Sequence, residues 1–215
     1  MYNINQHTEE SFSVLGMPFF KYKLEGFESH QENLIDLCYE YCKNALTPED
    51  EIKLLDLEKH PNLITPEEEI IRKTSVRSSM LGLHTKDIFE GDWKKTPSGT
   101  WFADMVYSKL EGLSFVNEIV TLSNSWFMLN TTNSWNLPHV HPDSYISGVL
   151  YVKATPSDKI GNLYVIKDTS TAEYVPVEGE LLLFHSSLLH MVGPNQTNEE
   201  RIVISFNTSI KGLKS

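Results

Sequence analysis

His139, His141, His190 and Arg201 are the residues of this chain whose types and order could carry chemistry. His139-Val140-His141 comes just before a strand-like run, His190 follows another, and Arg201 opens a third. Side chains alternate faces along an extended segment, so imidazoles at i and i+2 point the same way. A later histidine can then close a metal site, and a nearby arginine can clamp a carboxylate through its planar fork of donors. A single histidine in a strand is more often packed or solvent-facing than metal-bound. Two histidines, a third and an arginine, in this order, point to a metal centre beside an anion-binding cation.

The elements that must position these residues lie in the second half of the chain, where the apolar period is two from Ile119 onward. Ser125–Thr131, Trp135–His141, Ile146–Val152, Gly161–Ile166, Tyr174–Val177, Glu180–His185 and Arg201–Ile210 read as strands. Gly148 inside one of them allows a neighbour or ligand to come close. In the last strand Arg201, Val203, Ser205 and Asn207 share one face, and Ile202, Ile204 and Phe206 share the other. An arginine on an inward face has to meet an anion, because burying it unpaired is costly. The apolar face then packs beneath helices, and the interior holds a pocket. Asn130 and Ser205 are within reach of that pocket, Trp126 and Trp135 read as core or pocket wall, His185 as a wall residue or a partner orienting a ligand, and His84 as structural or solvent-facing.

The first half supplies the bracing. Phe12–Leu24 is β-prone with a break at Gly16 and Pro18. Glu32–Leu46 has helical spacing, with Leu34, Ile35, Leu37, Cys38, Tyr41, Cys42 and Ala45 on one stripe. Thr47-Pro48-Glu49-Asp50 reads as a helix start, and His60–Arg77, with its acidic run Glu67–Glu69, as a charged surface excursion. Ser79–Trp93 reads as irregular, and Trp101–Val116 as a second helix presenting Phe102, Met105, Val106, Leu110 and Leu113. Helices first and strands afterwards give an α+β fold, a double-stranded β-helix (jelly roll) braced by N-terminal helices. The organisation expected is a single domain over 1–215, with 1–118 mainly helical support carrying an N-terminal strand and 119–215 the catalytic core.

Composition narrows the class. With 215 residues, 40% of them hydrophobic and 22% charged, the chain is long enough for one substantial core. A formal charge of −11 argues against nonspecific nucleic-acid binding, which depends on cations neutralising phosphates. No apolar run reaches membrane-spanning length, and Met1–Glu10 is polar, unlike a secretory signal. A cytoplasmic protein with no membrane partner is expected. Cys38 and Cys42, four apart on one helix, read as a reduced, half-buried pair. The chain does not reveal its oligomeric state.

The segment Pro138-His-Val-His-Pro-Asp-Ser-Tyr-Ile-Ser-Gly-Val-Leu-Tyr-Val152, followed by Gly179-Glu-Leu-Leu-Leu-Phe184, Leu189-His190 and Arg201, resembles the iron(II)- and 2-oxoglutarate-dependent oxygenase superfamily. Within it the chain is most similar to a group in which His-x-His-Pro runs into Ser-Gly-Val-x-Tyr. The resemblance covers about Leu122 to Asn207, with weaker echoes at Gly82-Leu83-His84. It implies a dioxygenase that uses Fe(II), 2-oxoglutarate and O2, most often as a hydroxylase. Arg201 would hold the distal carboxylate of 2-oxoglutarate with help from Tyr151. The substrate, a small molecule or a protein side chain, is not specified.

One position departs from the family, which has a carboxylate two residues after the first histidine, where this chain has His141. Either the ligands are His139, His141 and His190, or the frame moves by two and His141-Pro142-Asp143 supplies His-x-Asp, with Asp143 as the alternative third ligand. The Pro138-His139 context and the spacing to Tyr151 favour the first. Two rival classes stand beside the enzyme. A cupin-type metal protein also uses His-x-His, but would have a glutamate where Tyr145 stands. A non-catalytic jelly-roll module with a structural metal would usually add cysteine ligands, and both cysteines lie in the helical half.

Overall fold

The computed structural model describes residues 1–43, 79–80, 82–85, 87–88, 91–113, 118–155 and 157–213. In chain order the strands are β1 (Tyr2–Asn3), β2 (Ser11–Val14), β3 (Met17–Lys23), β4 (Ser79–Met80), β5 (Leu83–His84), β6 (Glu118–Asn130), β7 (Trp135–His139), β8 (Ile146–Lys153), β9 (Leu163–Lys167), β10 (Ser170–Tyr174), β11 (Glu180–His185), β12 (His190–Val192) and β13 (Arg201–Leu213). Among the described residues two α-helices accompany them, α1 (Gln31–Cys42) and α2 (Pro97–Glu111).

Period-two patterning divides these strands between two cores. The strands form a seven-stranded sheet, β2-β3-β11-β8-β13-β6-β5, and a six-stranded sheet, β1-β10-β9-β12-β7-β4. On β13, Ile202, Ile204 and Phe206 join Leu34, Leu37, Phe102, Val106 and Leu110 in the core under the helices. Val203 turns the other way and joins Met128, Tyr151, Val165, Tyr174 and Phe184 between the sheets. A one-residue slip would exchange these two sets, so burial on both faces fixes the register. The result is the α+β arrangement expected, two facing sheets with helices on one of them.

Several boundaries differ from the sequence reading, each for a local reason. Helix α2 starts at Pro97, with Thr96 Oγ1 accepting from the Gly99 N–H at 3.0 Å. This is an N-cap followed by proline at the first helical position. The helix stops at Glu111, and residues 114–117 lie outside the described set. Tyr174–Val177 was the expected strand, but pairing with β9 is made by Ser170–Tyr174 through a tight turn at Asp168, whose φ is 54°. Ser79–Trp93 is not wholly irregular, since β4 pairs with β7 and β5 with β6.

Residues 1–118 also do more than brace. Strands β2 and β3 form a hairpin whose turn residues, Leu15 and Gly16, both have positive φ, and β3 pairs with β11. Strand β1 pairs with β10. The expected helix start at Thr47–Asp50, Ala45 and the excursion over 60–77 fall outside the described residues. Cys38 and Cys42 are free and fully buried rather than half-buried, with their sulfurs 3.9 Å apart. Among the described residues no helix is long and apolar enough to cross a membrane.

Gly148 has a packing reason for lacking a side chain. A Cβ there would lie 2.2 Å from the Phe206 ring and 2.8 Å from Leu183. Substitution by alanine in this strand should therefore cost about 1–3 kcal/mol through overpacking, measured as a lowered urea midpoint with an unchanged m-value. A neutral Gly148→Ala would show that the sheet-to-helix packing is looser than these contacts require.

Candidate metal and anion site

Strands β7 and β12 are antiparallel neighbours, and their register places His139 directly opposite His190. Their ring centroids are 4.3 Å apart. His141 lies two residues past His139, just beyond the end of β7, where its backbone N–H donates to Ser186 O at 2.9 Å. Its ring returns to within 5.1 Å of His139 and 5.2 Å of His190. One nitrogen from each of the three imidazoles lies within 4.8 Å of the others.

The local backbone sets which nitrogens face one another. His139 Nδ1 is 2.7 Å from Leu137 O, and His190 Nδ1 is 2.8 Å from Leu188 O. A carbonyl can only accept, so both Nδ1 atoms carry the proton and Nε2 keeps its lone pair. Each histidine is thus oriented by the carbonyl two residues before it. Burial pushes His190 down to about 3 and His141 down to about 4, with repulsion from His139 adding to both. His139 is lowered for the same first reason. All three rings are neutral near pH 7, which is the form that ligates a metal.

Arg201 lines the same cavity as the three imidazoles. It is 2% exposed. One terminal nitrogen donates to Gly161 O and the other to Asn130 Oδ1 at 2.9 Å, while Nε has no partner. Among the described residues no carboxylate pairs with it. Burial draws it down to about 10, so it stays cationic at neutral pH. A buried guanidinium short of a counter-charge fits a carboxylate ligand. Tyr151, also on the cavity wall, is 1% exposed, and burial holds its phenol well above the usual range and therefore protonated.

The structure thus brings His139, His141, His190, Arg201 and Tyr151 to one cavity, and it leaves Asp143 out. Asp143 is exposed in the turn after His141 and does not join the imidazole cluster. His185 bonds Ser187 Oγ at 2.8 Å and meets Tyr145 edge-on, away from the three rings. His84 is packed rather than solvent-facing, stacked on Trp126 at 5.4 Å. Trp126 is pocket wall, and Asn130 serves the cavity through Arg201. Sequence reasoning missed the carbonyls of Leu137, Leu188 and Gly161, which no side chain announces. Asn130 could have been found more firmly, because it is the β6 residue opposite Arg201.

Comparison with known proteins agrees with this geometry. Residues 124–207 match the family described as "Putative 2OG-Fe(II) oxygenase". A comparison with curated proteins returns no match. Among solved structures, a prolyl-4-hydroxylase from Pseudomonas putida superposes with a TM-score of 0.60 at 14% identity, over 93% of this chain and 96% of that one. HygX from Streptomyces hygroscopicus, solved with nickel and 2-oxoglutarate bound, gives 0.54 at 10% identity, over 89% and 82%. A 2OG-Fe(II) oxygenase family protein from Burkholderia pseudomallei is 15% identical with a TM-score of 0.41, and this chain spans 57% of its length over 58% of its own residues. The family match is confined to the cavity-forming strands, and the likeness to the solved structures shows a shared double-stranded β-helix fold.

Proposed function

We propose that this chain is an iron(II)- and 2-oxoglutarate-dependent oxygenase, acting as a hydroxylase, in which His139, His141 and His190 hold iron(II) through Nε2, and Arg201, with Tyr151 beside it, holds the distal carboxylate of 2-oxoglutarate. The observation that carries the reading is a buried guanidinium with no carboxylate partner among the described residues, in the cavity that also gathers three neutral imidazoles. Bound there, the iron and the keto acid would supply, with O2 as oxidant, the chemistry that replaces a C–H bond of the substrate by C–OH. The chain's own residues bind, orient and keep water out. Leu137 O and Leu188 O hold two imidazoles at fixed angles, Asn130 and Gly161 O aim the guanidinium, and Met128, Val149, Leu163, Phe184 and Val203 make the walls dry. Two free, buried cysteines fit a reducing compartment, and we place the protein in the cytoplasm.

Anaerobic titration with iron(II) and 2-oxoglutarate tests the assignment through the weak visible charge-transfer band of the chelate. Arg201→Ala should weaken 2-oxoglutarate binding by roughly 2–5 kcal/mol, about 30-fold or more, because it removes one side of a buried charge pair. Arg201→Lys should also fall well short of the native affinity, since a single ammonium cannot keep the Gly161 and Asn130 contacts and still meet a carboxylate with two donors. An unaltered affinity in Arg201→Ala would remove the anion-site reading.

The third ligand is settled by comparing two variants in direct iron-binding measurements. His141→Ala should weaken iron(II) binding beyond the roughly 10–100-fold lost with an outer partner, whereas Asp143→Ala should stay within about twofold of the native protein. The reverse order would make Asp143 the ligand.

A further inference from the structure

Arg201, Val203, Ser205 and Asn207 share the inner face of β13, opposite Asn130, Met128, Trp126 and Asn124 of β6. On the other flank of β13, Ser205 is opposite Val149 and Asn207 is opposite Ser147 of β8. Ser147 is in turn opposite Phe184 of β11. Two rings on these rungs approach the imidazoles: Trp126 lies 6.2 Å from His141, and Phe184 lies 4.9 Å from His190. Ser205 and Ser147 line the cavity between those rings and therefore face the three histidines from the opposite sheet. Arg201 is four residues away from Ser205, about 13 Å of strand.

The hydrogen bonds on these rungs leave two donors unused. Ser147 Oγ donates to Asn207 Oδ1 at 2.8 Å, which anchors the amide and makes Nδ2 its free end. Among the described residues, Asn207 Nδ2 and Ser205 Oγ have no hydrogen-bond partner. Neither atom is sealed in, since both residues are half-buried and both atoms keep accessible surface. An amide nitrogen can only donate, and a serine hydroxyl can donate or accept. Neutral donors offset the desolvation of a neutral carbonyl oxygen, whereas they leave a buried charge largely uncompensated.

We propose that Ser205 and Asn207 bind the primary substrate by donating to a neutral carbonyl group on it, with Ser147 as the residue that positions Asn207. The substrate class is a carbonyl compound, an amide, ester or ketone, whose C=O lies close to the oxidised C–H bond. Arg201 holds the keto acid at one end of the wall, and these two residues hold the second reactant across from the imidazoles. This rests on the oxygenase reading above, which assigns Arg201 to the keto acid.

The test uses 15N-labelled protein loaded with zinc(II), a diamagnetic substitute for iron, and 2-oxoglutarate. The probe is N,N-dimethylacetamide, a neutral carbonyl compound with no hydrogen-bond donor of its own. Sequence-assigned spectra identify the Asn207 side-chain NH2 pair without any substitution. The probe should bind saturably and move one proton of that pair downfield. Ser205→Ala and Asn207→Ala should each weaken the probe by about 3- to 10-fold, the worth of one neutral hydrogen bond. Ser147→Ala should weaken it too, and should bring the Asn207 pair to the averaged shifts of a freely rotating amide, the signature of a lost anchor. In all three variants 2-oxoglutarate should bind within about twofold of its native affinity, because separate sites act independently.

A probe that never saturates, or that saturates without moving the Asn207 pair, overturns the proposal while 2-oxoglutarate still binds. So does an Asn207 pair that shifts with 2-oxoglutarate alone, or a pair of variants, Ser205→Ala and Asn207→Ala, that weaken the keto acid and spare the probe. Should a variant fail to fold, the titration of the native protein decides. Failure of 2-oxoglutarate to bind the zinc-loaded protein would instead fell the oxygenase reading, and this inference with it.

Discussion

Arg201 begins β13 as a charged residue with 2% of its surface exposed, in a strand otherwise dominated by valine, isoleucine and phenylalanine. Removing a charge from water costs several kcal/mol, and the fold around it is arranged to limit that cost. Gly161, at φ 93°, turns its carbonyl onto the guanidinium, and a Cβ there would come within 3.2 Å of the terminal nitrogen. Asn130 supplies a second acceptor from the opposite strand. What holds the arginine in is its neighbours: Ile202, Ile204 and Phe206 are wholly buried on the other face, so turning Arg201 outward would expose three apolar side chains. The hydrophobic core under the helices thus maintains a charge in the cavity.

The three imidazoles depend on the second sheet in a comparable way. Strand β12 has three residues, too few for any propensity of its own, and exists because β7 and β9 flank it on both sides. Its pairing with β7 makes His139 and His190 direct neighbours, while the i−2 carbonyls fix their rings. The sheets therefore divide the work. One carries the guanidinium and tyrosine, the other carries the imidazoles, and the residues packed between them set their separation.

What could be read from sequence follows from this division. Arg201 and its alternating strand were legible because period-two burial on both faces leaves a strong pattern. The histidine pair was legible because spacing i, i+2 survives the end of the strand at His139. Strand β10 was misplaced because Ser170–Tyr174 is polar, with burial at Ala172 and Tyr174 alone, and its turn at Asp168 lacks the usual glycine. The start of α2 was missed because Ser98 and Gly99 interrupt the apolar stripe, although Thr96-Pro97 carries the cap signal. Strands β4 and β5, two residues each, are formed by the neighbours they pair with, and no local sequence signal marks them. Backbone carbonyls that orient His139, His190 and Arg201 depend on chain direction, which residue identity does not encode.

In the proposed site, an imidazole at position 141 in place of a carboxylate ligand would have an electrostatic consequence. Iron(II) among three neutral imidazoles, a dianionic keto acid and the Arg201 guanidinium would sum to a net charge of +1, whereas a carboxylate ligand would bring the same site to zero. A positive centre in a dry cavity would hold the keto acid more firmly and repel cations. The same charge raises the cost of the site before the keto acid arrives, when the guanidinium and the metal face each other uncompensated. The Arg201 charge is partly met by Gly161 O and Asn130 Oδ1. Metal and keto acid should then bind as a coupled pair, each making the other's site more favourable. An all-imidazole donor set therefore ties occupancy of the metal to the supply of the diacid more tightly than a carboxylate-containing set would.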